Sequence, residues 1–273
     1  MRADLHIHTY YSDGGLSPEK AVQLAKRNGV ELLAITDHDT TESCNQVQKH
    51  CAEAGISFVR GIEVSAYQGD IKLHTLCYGF DPDNSDLKNF LNGLYQNSVK
   101  RTEDVIYKLN KCGINISIEQ AAAERFSANT PIHSMHVARA GAKKGYAPNQ
   151  FEFYKLYLMK GSPAFSKLFR PTPEQTIQVI SACGGFCSLA HPGRIEMDGQ
   201  EKITLIKRLK DCGLCGIEGV YSAHTAKETA YYKELAKELG LLVTGGSDTH
   251  YEISNKKIGT PFFEPSLELL QRL

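Results

Sequence analysis

Two histidines stand two residues apart near the start of the chain, at His6 and His8. On a β-strand, residues i and i+2 face the same side, so the two imidazoles converge on one point, as a metal ion requires. One such pair is weak support, because a chain with ten histidines in 273 residues often contains one by chance. The pair indicates a metal site only if other ligand-type side chains reach the same point.

Such side chains occur at the carboxyl ends of several predicted strands. They are His38 with its flanking Asp37 and Asp39, Glu63, His191, Asp248 and His250. The strand ends of an α/β barrel share one rim, and that rim holds the active site. Imidazoles mixed with carboxylates suit Zn²⁺, Mn²⁺ or Fe²⁺, and a bridging carboxylate suits a centre with several ions. The sequence therefore predicts a metal centre on the rim of a barrel.

These residues lie within a pattern of short apolar runs, predicted as strands, that alternate with amphipathic helical patterns. The predicted strands cover 3–7, 31–36, 56–65, 71–80, 185–190, 216–220 and 241–245, and the run at 71–80 allows an antiparallel partner. This alternation predicts a parallel sheet or barrel. Between 85 and 167 the pattern is helical throughout, with helices predicted over 86–109, 134–144 and 150–159, so this stretch is predicted to be a helical insertion.

Composition and charge exclude several classes of protein. The chain carries 31 Lys plus Arg and 31 Asp plus Glu, so its formal net charge is zero, which argues against a stable nucleic-acid complex. It has no apolar run of membrane-span length and no apolar signal core, so a cytoplasmic protein with no membrane partner is predicted. The eight cysteines are expected to be free thiols, and the isolated C-x-x-C at Cys212 and Cys215 has no assigned role.

The motifs follow one another along the whole chain as D-x-H-x-H-T, S-D-G, T-D-H-D, G-I-E, a lone histidine on the next strand, L-A-H-P-G-R and G-S-D-x-H. In this order they resemble the PHP (polymerase and histidinol phosphatase) family. The insertion resembles that of the branch with 3′,5′-nucleoside bisphosphate phosphatases and cyclic phosphate phosphodiesterases. The resemblance implies an α/β fold, a distorted (β/α)7 barrel of residues 1–84 and 168–273, with an all-helical subdomain at 85–167 inserted over the active site.

The resemblance also implies three divalent metal ions, Mn²⁺, Zn²⁺ or Fe²⁺, held by nine residues. The ligands of the first ion would be His6, His8, Glu63 and Asp248. Glu63 would bridge to a second ion, whose other ligands would be His74 and His191. The third ion would be held by Asp13, His38 and His250. Some family members have histidine in place of Asp13, and a carboxylate there favours a harder metal.

The implied activity is that of a hydrolase of phosphoric ester bonds, in which a metal-bridging hydroxide attacks phosphorus. The residues implied in catalysis are Glu63, Asp248, His191 and Arg194. Arg194 offers a planar guanidinium that binds phosphate through two hydrogen bonds. His191 or His250 is a candidate proton donor to the leaving group.

Three more residues join Arg194 in the predicted substrate-binding set. His136 and Arg139 are three residues apart and share a helix face. Their segment resembles an H-x-A-R element that faces the active site in this branch. His224 follows a predicted strand end, so it is expected on the same rim.

The substrate is left open between several small phosphorylated molecules. Nucleoside 3′,5′-bisphosphates or short oligoribonucleotides are favoured. The alternatives are a cyclic phosphodiesterase acting on a phosphorylated sugar of the ribose 1,2-cyclic phosphate 5-phosphate type, and a histidinol-phosphatase-like enzyme. The same metal chemistry also hydrolyses amides. A non-catalytic metal-binding module is the alternative of another class, but such modules usually lose ligands, and all nine positions here carry one.

Overall fold

The seven predicted strands form one sheet in chain order. The computed structural model describes residues 1–167, 170–252 and 255–273. The strands are β1 Ala3–Asp4, β2 Leu32–Ile35, β3 Ser57–Gln68, β4 Ile71–Tyr78, β5 Phe186–Leu189, β6 Gly216–Tyr221 and β7 Leu242–Gly246. Neighbours pair in parallel, except that β4 is antiparallel to both β3 and β5. The antiparallel partner allowed for the run at 71–80 is therefore present.

The two edges of the sheet meet, which curls it into a nearly closed barrel. Beyond the end of β1, the Leu5 amide donates to the Gly245 carbonyl at 3.1 Å, and the His8 amide donates to Thr249 at 2.9 Å. At Gly246 a Cβ atom would lie 2.4 Å from the Cβ of His6, so only glycine lets β7 approach the β1 edge this closely. The predicted distorted (β/α)7 barrel is confirmed.

The helices of the barrel are α1 Pro18–Arg27, α2 Cys44–Ala54, α7 Pro173–Ala182, α8 Gly199–Asp211, α9 Ala226–Leu239 and α10 Leu267–Leu270. Local sequence sets their ends. Ser17 caps α1 by accepting from the Lys20 amide at 3.0 Å, and Pro18 occupies the first turn, where its missing amide proton is not needed. Helix α9 ends at Gly240, whose φ of 61° favours glycine.

Apolar side chains fill the barrel interior and the layer between the strands and the helices. The interior cluster draws on strands from all sides of the barrel, including Ala34, Leu76, Phe186 and Val220. A second cluster packs β3 to β5 against α7, α8 and α9, and a third packs α1 and α2 against β2. Apolar side chains fill the barrel interior, and the polar side chains lie at the carboxyl ends of the parallel strands.

The chain between β4 and β5 is helical, and it has an apolar core of its own. Its helices are α3 Ser85–Lys111, α4 Ile118–Ala122, α5 Ser134–Lys143 and α6 Gln150–Phe153, and α6 continues into a π-helical turn, Tyr154–Leu158. The prediction of one helix over 150–159 was therefore incomplete. The core residues of this segment include Leu109, Ile132, Val137 and Phe153. The predicted start of the second barrel segment, at 168, lies outside the described residues.

Two further expectations concern the whole chain. The eight cysteines are free thiols, as expected. Within the described ranges, no helix is both long enough and apolar enough to cross a membrane.

Candidate active site

The structure brings all nine predicted metal ligands together at the carboxyl ends of the strands. Their ligand atoms form three groups, within each of which they lie no more than 4.8 Å apart. The groups are His6, His8, Glu63 and Asp248; His38, Glu63 and His74; and His8, Asp13, His38 and His250. The ninth residue, His191, joins the second group, since its Nε2 is 3.0 Å from Glu63 Oε1 and 3.2 Å from His74 Nδ1.

Glu63 occupies the centre of this ligand cluster. Its Oε2 is 3.0 Å from His8 Nε2 and 3.2 Å from His6 Nε2. Its Oε1 is 2.8 Å from His74 Nδ1. The residue is 1% exposed, so both carboxylate oxygens face protein groups rather than bulk water. This is the geometry expected of a carboxylate shared between two ions.

The carboxylates of the cluster are held in the ionised form. Burial opposes ionisation of Glu63 and Asp248, but the neighbouring His74 and His6 keep the pKa of each carboxyl well below its ordinary value. Burial likewise opposes a charge on His8, yet hydrogen bonds to Asp248 and Glu63 raise the pKa of its imidazole to about 9. The buried carboxylates thus favour a positive charge beside them, either a proton on an imidazole or a cation that replaces it.

The donor set fits divalent metal ions. Among the described residues, the buried atoms Asp13 Oδ1, His38 Nδ1 and Glu63 Oε2 have no partner with hydrogen-bond geometry. A buried polar atom without a partner is costly, by about 1–3 kcal/mol, and a cation placed among these atoms would satisfy them together. Imidazole nitrogen and carboxylate oxygen are the ligands of Zn²⁺, Mn²⁺ and Fe²⁺ sites.

Glu218 on β6 orients two of these ligands, and the sequence analysis did not find it. Its Oε1 is 2.8 Å from His6 Nδ1, and its Oε2 accepts from the His191 amide at 2.6 Å. A carboxylate bonded to the outer ring nitrogen of a histidine fixes the ring and directs the other nitrogen toward the metal. A fully buried glutamate in an otherwise uncharged strand was the available signal.

The aspartates that flank His38 hold the surrounding loops in place. Asp37 accepts hydrogen bonds from the Thr9 amide at 2.6 Å and from the Ser12 hydroxyl at 2.7 Å, which fixes the loop that carries Asp13. Asp39 accepts from the Ser65 amide at 2.9 Å and pairs with the guanidinium of Arg170. Both residues therefore support the cluster from outside it.

Three residues of the site have backbone conformations that are unusual for residues other than glycine. Asp39, His191 and Asp248 have positive φ angles of 57°, 28° and 54°. Such a conformation costs about 1–3 kcal/mol and persists only where the surroundings enforce it. The Asp248 amide donates to the His6 carbonyl at 2.7 Å, which holds this conformation, and the Asp248 carboxylate lies 3.5 Å from His6 Nε2 and 3.4 Å from His8 Nε2.

A cavity of about 430 Å³ opens beside the ligand cluster. The barrel lines it with His74, His191 and Arg194, and the insertion lines it with Arg101 and Tyr154. A second cavity of about 450 Å³ is also lined by Arg194 and Tyr154. It has further aromatic side chains from the barrel, Tyr251, and from the insertion, Phe151. Residues of the barrel and of the insertion therefore line the same two cavities.

Arg194 lies at both cavities and is connected to the ligand cluster. Its Nη1 donates to the Tyr221 hydroxyl at 3.1 Å, and that hydroxyl donates to Asp248 Oδ2 at 2.9 Å. The Lys256 ammonium also contacts Asp248 Oδ2 and lies 3.0 Å from the Tyr221 hydroxyl. Two cations thus stand beside a predicted metal ligand and face the space where a substrate would lie.

The structure does not bring the other three predicted substrate contacts to either cavity. Arg139 donates to the carbonyls of Asp13 and Gly14, at 2.9 and 3.1 Å, so its helix face packs on the Asp13 loop. His136 Nδ1 accepts from the His133 amide at 3.0 Å. The ring of His224 stacks on Tyr232, with centroids 5.0 Å apart. Arg139 and His224 are therefore engaged within the protein, whereas His136 Nε2 is buried and has no hydrogen-bond partner among the described residues.

Comparisons with known proteins agree with this geometry. A family model described as PHP domain matches residues 4–212. A 5′-3′ exoribonuclease of Haemophilus influenzae is 32% identical over 91% of this chain and 89% of its own length. A phosphoribosyl 1,2-cyclic phosphate 1,2-diphosphodiesterase of Eggerthella lenta is 30% identical over 92% and 94%. A 3′,5′-nucleoside bisphosphate phosphatase of Chromobacterium violaceum is 30% identical over 90% and 86%.

Among solved structures, an amidohydrolase from Chromobacterium violaceum with bound sulfate and no metal superposes with a TM-score of 0.88. It is 27% identical, and the match covers 100% of this chain and 97% of that one. The similarity thus extends over the barrel and the insertion together.

Proposed function

The chain belongs to the PHP domain family and hydrolyses phosphoester bonds, and from that premise we propose that its substrates are nucleoside 3′,5′-bisphosphates or short oligoribonucleotides. The observation that carries the proposal is a buried cluster of six imidazoles and three carboxylates at the base of a cavity that also contains Arg194 and Lys256. Side chains that can bind metal ions therefore lie beside cationic side chains that can bind a phosphate.

Three divalent ions are proposed for the cluster. Glu63 would be shared between the ion of His6 and His8 and the ion of His74 and His191. Asp13 would hold a third ion, with His38 and His250. When bound, such ions polarise the phosphoryl oxygens and acidify water at neutral pH.

The remaining groups bind and orient the phosphate. Arg194 is proposed to donate two parallel hydrogen bonds to non-bridging oxygens, as a planar guanidinium does with phosphate. The Tyr221 hydroxyl fixes the positions of Arg194 and Asp248 relative to each other, because it forms a hydrogen bond with each. The Lys256 ammonium faces both cavities and is proposed to donate the proton to the leaving oxygen.

Both residues expected to protonate the leaving group, His191 and His250, belong to the ligand cluster. His191 Nε2 lies within the ligand cluster, and among the described residues its buried Nδ1 has no hydrogen-bond partner. His191 is therefore proposed as a metal ligand only.

The aromatic wall of the second cavity favours a nucleotide over a bare sugar phosphate. Phe151 is 50% exposed and stands edge-on to Tyr251, with centroids 5.8 Å apart, and Tyr154 lies beside them. Stacking of a base on an aromatic side chain contributes about 1–3 kcal/mol. An exposed aromatic surface beside a phosphate site is what a nucleobase would use.

A cyclic phosphodiesterase acting on a phosphorylated ribose is the second candidate. Its support is the Eggerthella lenta relative, which is as similar to this chain as the bisphosphate phosphatase. The two candidates would use the same ligands and the same cations but cleave different bonds: a phosphomonoester that releases inorganic phosphate, or a cyclic phosphodiester that opens while its leaving oxygen stays on the ribose.

Initial rates on a panel of substrates distinguish the candidates. The Mn²⁺-loaded protein would be assayed with adenosine 3′,5′-bisphosphate, a short 5′-phosphorylated oligoribonucleotide, ribose 1,2-cyclic phosphate 5-phosphate and histidinol phosphate. We expect the highest kcat/KM with the bisphosphate or the oligonucleotide. A preference for the cyclic ester or for histidinol phosphate would contradict the proposed substrate class.

A further inference from the structure

The turn that carries Arg194 is held by one side chain from α8 and one from the loop before α9. We propose that these two, Lys202 and His224, are positioning residues, which fix the Pro192–Arg194 turn so that the Arg194 guanidinium points into the cavity. Neither of them is among the described residues that line the two cavities. The inference rests on the proposed function, in which Arg194 binds the phosphate, and it gives His224 a role other than the substrate contact predicted from the sequence.

Two hydrogen bonds fix the backbone of the turn. The Gly193 amide donates to His224 Nε2 at 3.3 Å. The Lys202 ammonium donates to the Pro192 carbonyl at 2.9 Å. A Cβ atom on Gly193 would lie 2.8 Å from His224 Nε2, so a larger residue there would displace the imidazole. Because the turn is a single one of three residues, a shift of its backbone would carry the Arg194 side chain with it.

The hydrogen bond from the Gly193 amide defines which nitrogen of His224 carries the proton. An imidazole nitrogen accepts only when it is unprotonated, so Nε2 is bare and the proton lies on Nδ1. That nitrogen faces the Gly219 carbonyl at 3.5 Å. Burial lowers the pKa of His224, which favours the neutral ring. The imidazole is therefore an acceptor for the turn.

The ring of His224 is itself fixed between two tyrosines. It stacks on Tyr232, with centroids 5.0 Å apart, and meets Tyr221 edge-on at 5.1 Å. Tyr232 is buried, and its hydroxyl lies 3.5 Å from Lys202 Nζ. The Tyr221 hydroxyl accepts from the Arg194 guanidinium. His224 thus contacts both the backbone that carries Arg194 and the tyrosine to which its guanidinium is bonded.

The orientation of Arg194 matters because two parallel hydrogen bonds to a phosphate depend on the plane of the guanidinium. A misplacement of about 1 Å costs up to about 100-fold in rate. The metal ligand that precedes the turn is held separately, since the His191 amide donates to Glu218 at 2.6 Å. Loss of the acceptor on His224 should therefore weaken phosphate binding and leave metal binding unchanged.

Calorimetric titration of the Mn²⁺-loaded protein with inorganic phosphate tests the inference. His224→Phe keeps the aromatic stacking and removes the acceptor, and we expect it to raise the Kd of phosphate about tenfold or more at native Mn²⁺ affinity. His224→Gln keeps an acceptor near the position of Nε2 and should recover part of the loss. Lys202→Met should also weaken phosphate binding, and it provides the test if His224→Phe fails to fold. Lys207→Met, at an exposed position on the same helix, is the matched control.

A double-mutant cycle with Arg194→Ala distinguishes positioning from a general structural effect. If His224 acts through Arg194, His224→Phe should change the Kd of phosphate less than about twofold in the Arg194→Ala background. The same loss in both backgrounds would overturn the inference. Native phosphate affinity in His224→Phe, with weakened affinity in Arg194→Ala, would overturn it and leave the proposed function intact. Native affinity in Arg194→Ala would contradict the phosphate contact in the proposed function, and the inference with it.

Discussion

Replacement of Glu218 by glutamine tests whether a residue outside the ligand cluster sets the metal affinity. In the native protein both carboxylate oxygens accept, one from His6 Nδ1 and one from the His191 amide, at 2.8 and 2.6 Å. Glutamine has nearly the same volume but only one acceptor. Its amide nitrogen would face one of these two donors, and one buried hydrogen bond would be lost.

The size of the effect follows from that loss. An unsatisfied buried donor destabilises the folded protein by about 1–3 kcal/mol. Without the acceptor, the His6 ring also loses the bond that keeps its Nε2 directed at Glu63. Changes of this kind outside the ligands lower metal affinity or activity about 10–100-fold. We therefore expect Glu218→Gln to bind Mn²⁺ about 10–100-fold more weakly while the nine ligands remain intact.

Isothermal titration of the metal-depleted protein with Mn²⁺ measures this directly, with phosphate release followed in parallel at saturating metal. Glu238→Gln, at an exposed position on α9, is the matched control and should behave as the native protein. Excess Mn²⁺ should restore much of the activity of Glu218→Gln if the defect is in affinity. Native Mn²⁺ affinity in the variant would refute the role given to Glu218.

Three other substitutions give distinct outcomes. Arg194→Ala should lower kcat by one to a few orders of magnitude, as loss of an oxyanion donor does, and steady-state rates that match the native protein would remove Arg194 from the site. Arg139→Ala should weaken Mn²⁺ binding, because it releases the loop of Asp13; a changed KM with native metal affinity would instead restore its predicted contact with substrate. Gly246→Ala should lower the melting temperature and the bound metal together, because the new Cβ would overlap His6, and a native melting curve would contradict the close approach of β7 and the β1 edge.

The alternation of strands and helices, and most of the ligands, could be predicted because both depend on local sequence. Each strand is an apolar run, and seven of the nine ligands follow or end predicted strands, so the alternation of elements places those seven on one rim. Asp13 and His74 were implied only by the resemblance to the PHP family. His6 and His8 share a strand face by spacing alone, and Glu63 and His74 lie on strands that the sequence already indicated. The grouping of the ligands was implied by the resemblance, and the structure adds the distances between their ligand atoms.

The orientation of the insertion could not be predicted in the same way. His136 and Arg139 do share a helix face, but which neighbour that face contacts is decided by packing between α5 and the barrel. Arg101 lies in the middle of α3, where a helical pattern does not distinguish a cavity-lining arginine from a solvated one. The π-helical turn that carries Tyr154 has no sequence pattern of its own. Contacts between segments that are distant in the chain determine the neighbour of α5, the surroundings of Arg101 and the position of the π-helical turn.

The most direct test of the metal-dependent hydrolase is a joint measurement on the native protein and Glu63→Gln. Metal content would be determined by elemental analysis after Mn²⁺ loading, and phosphate release would be followed on adenosine 3′,5′-bisphosphate, with circular dichroism to verify folding. Glu63 lies between two ligand groups, so we expect the folded variant to lose at least one ion per chain and all measurable turnover. A folded Glu63→Gln protein with native metal content and native turnover would contradict the account.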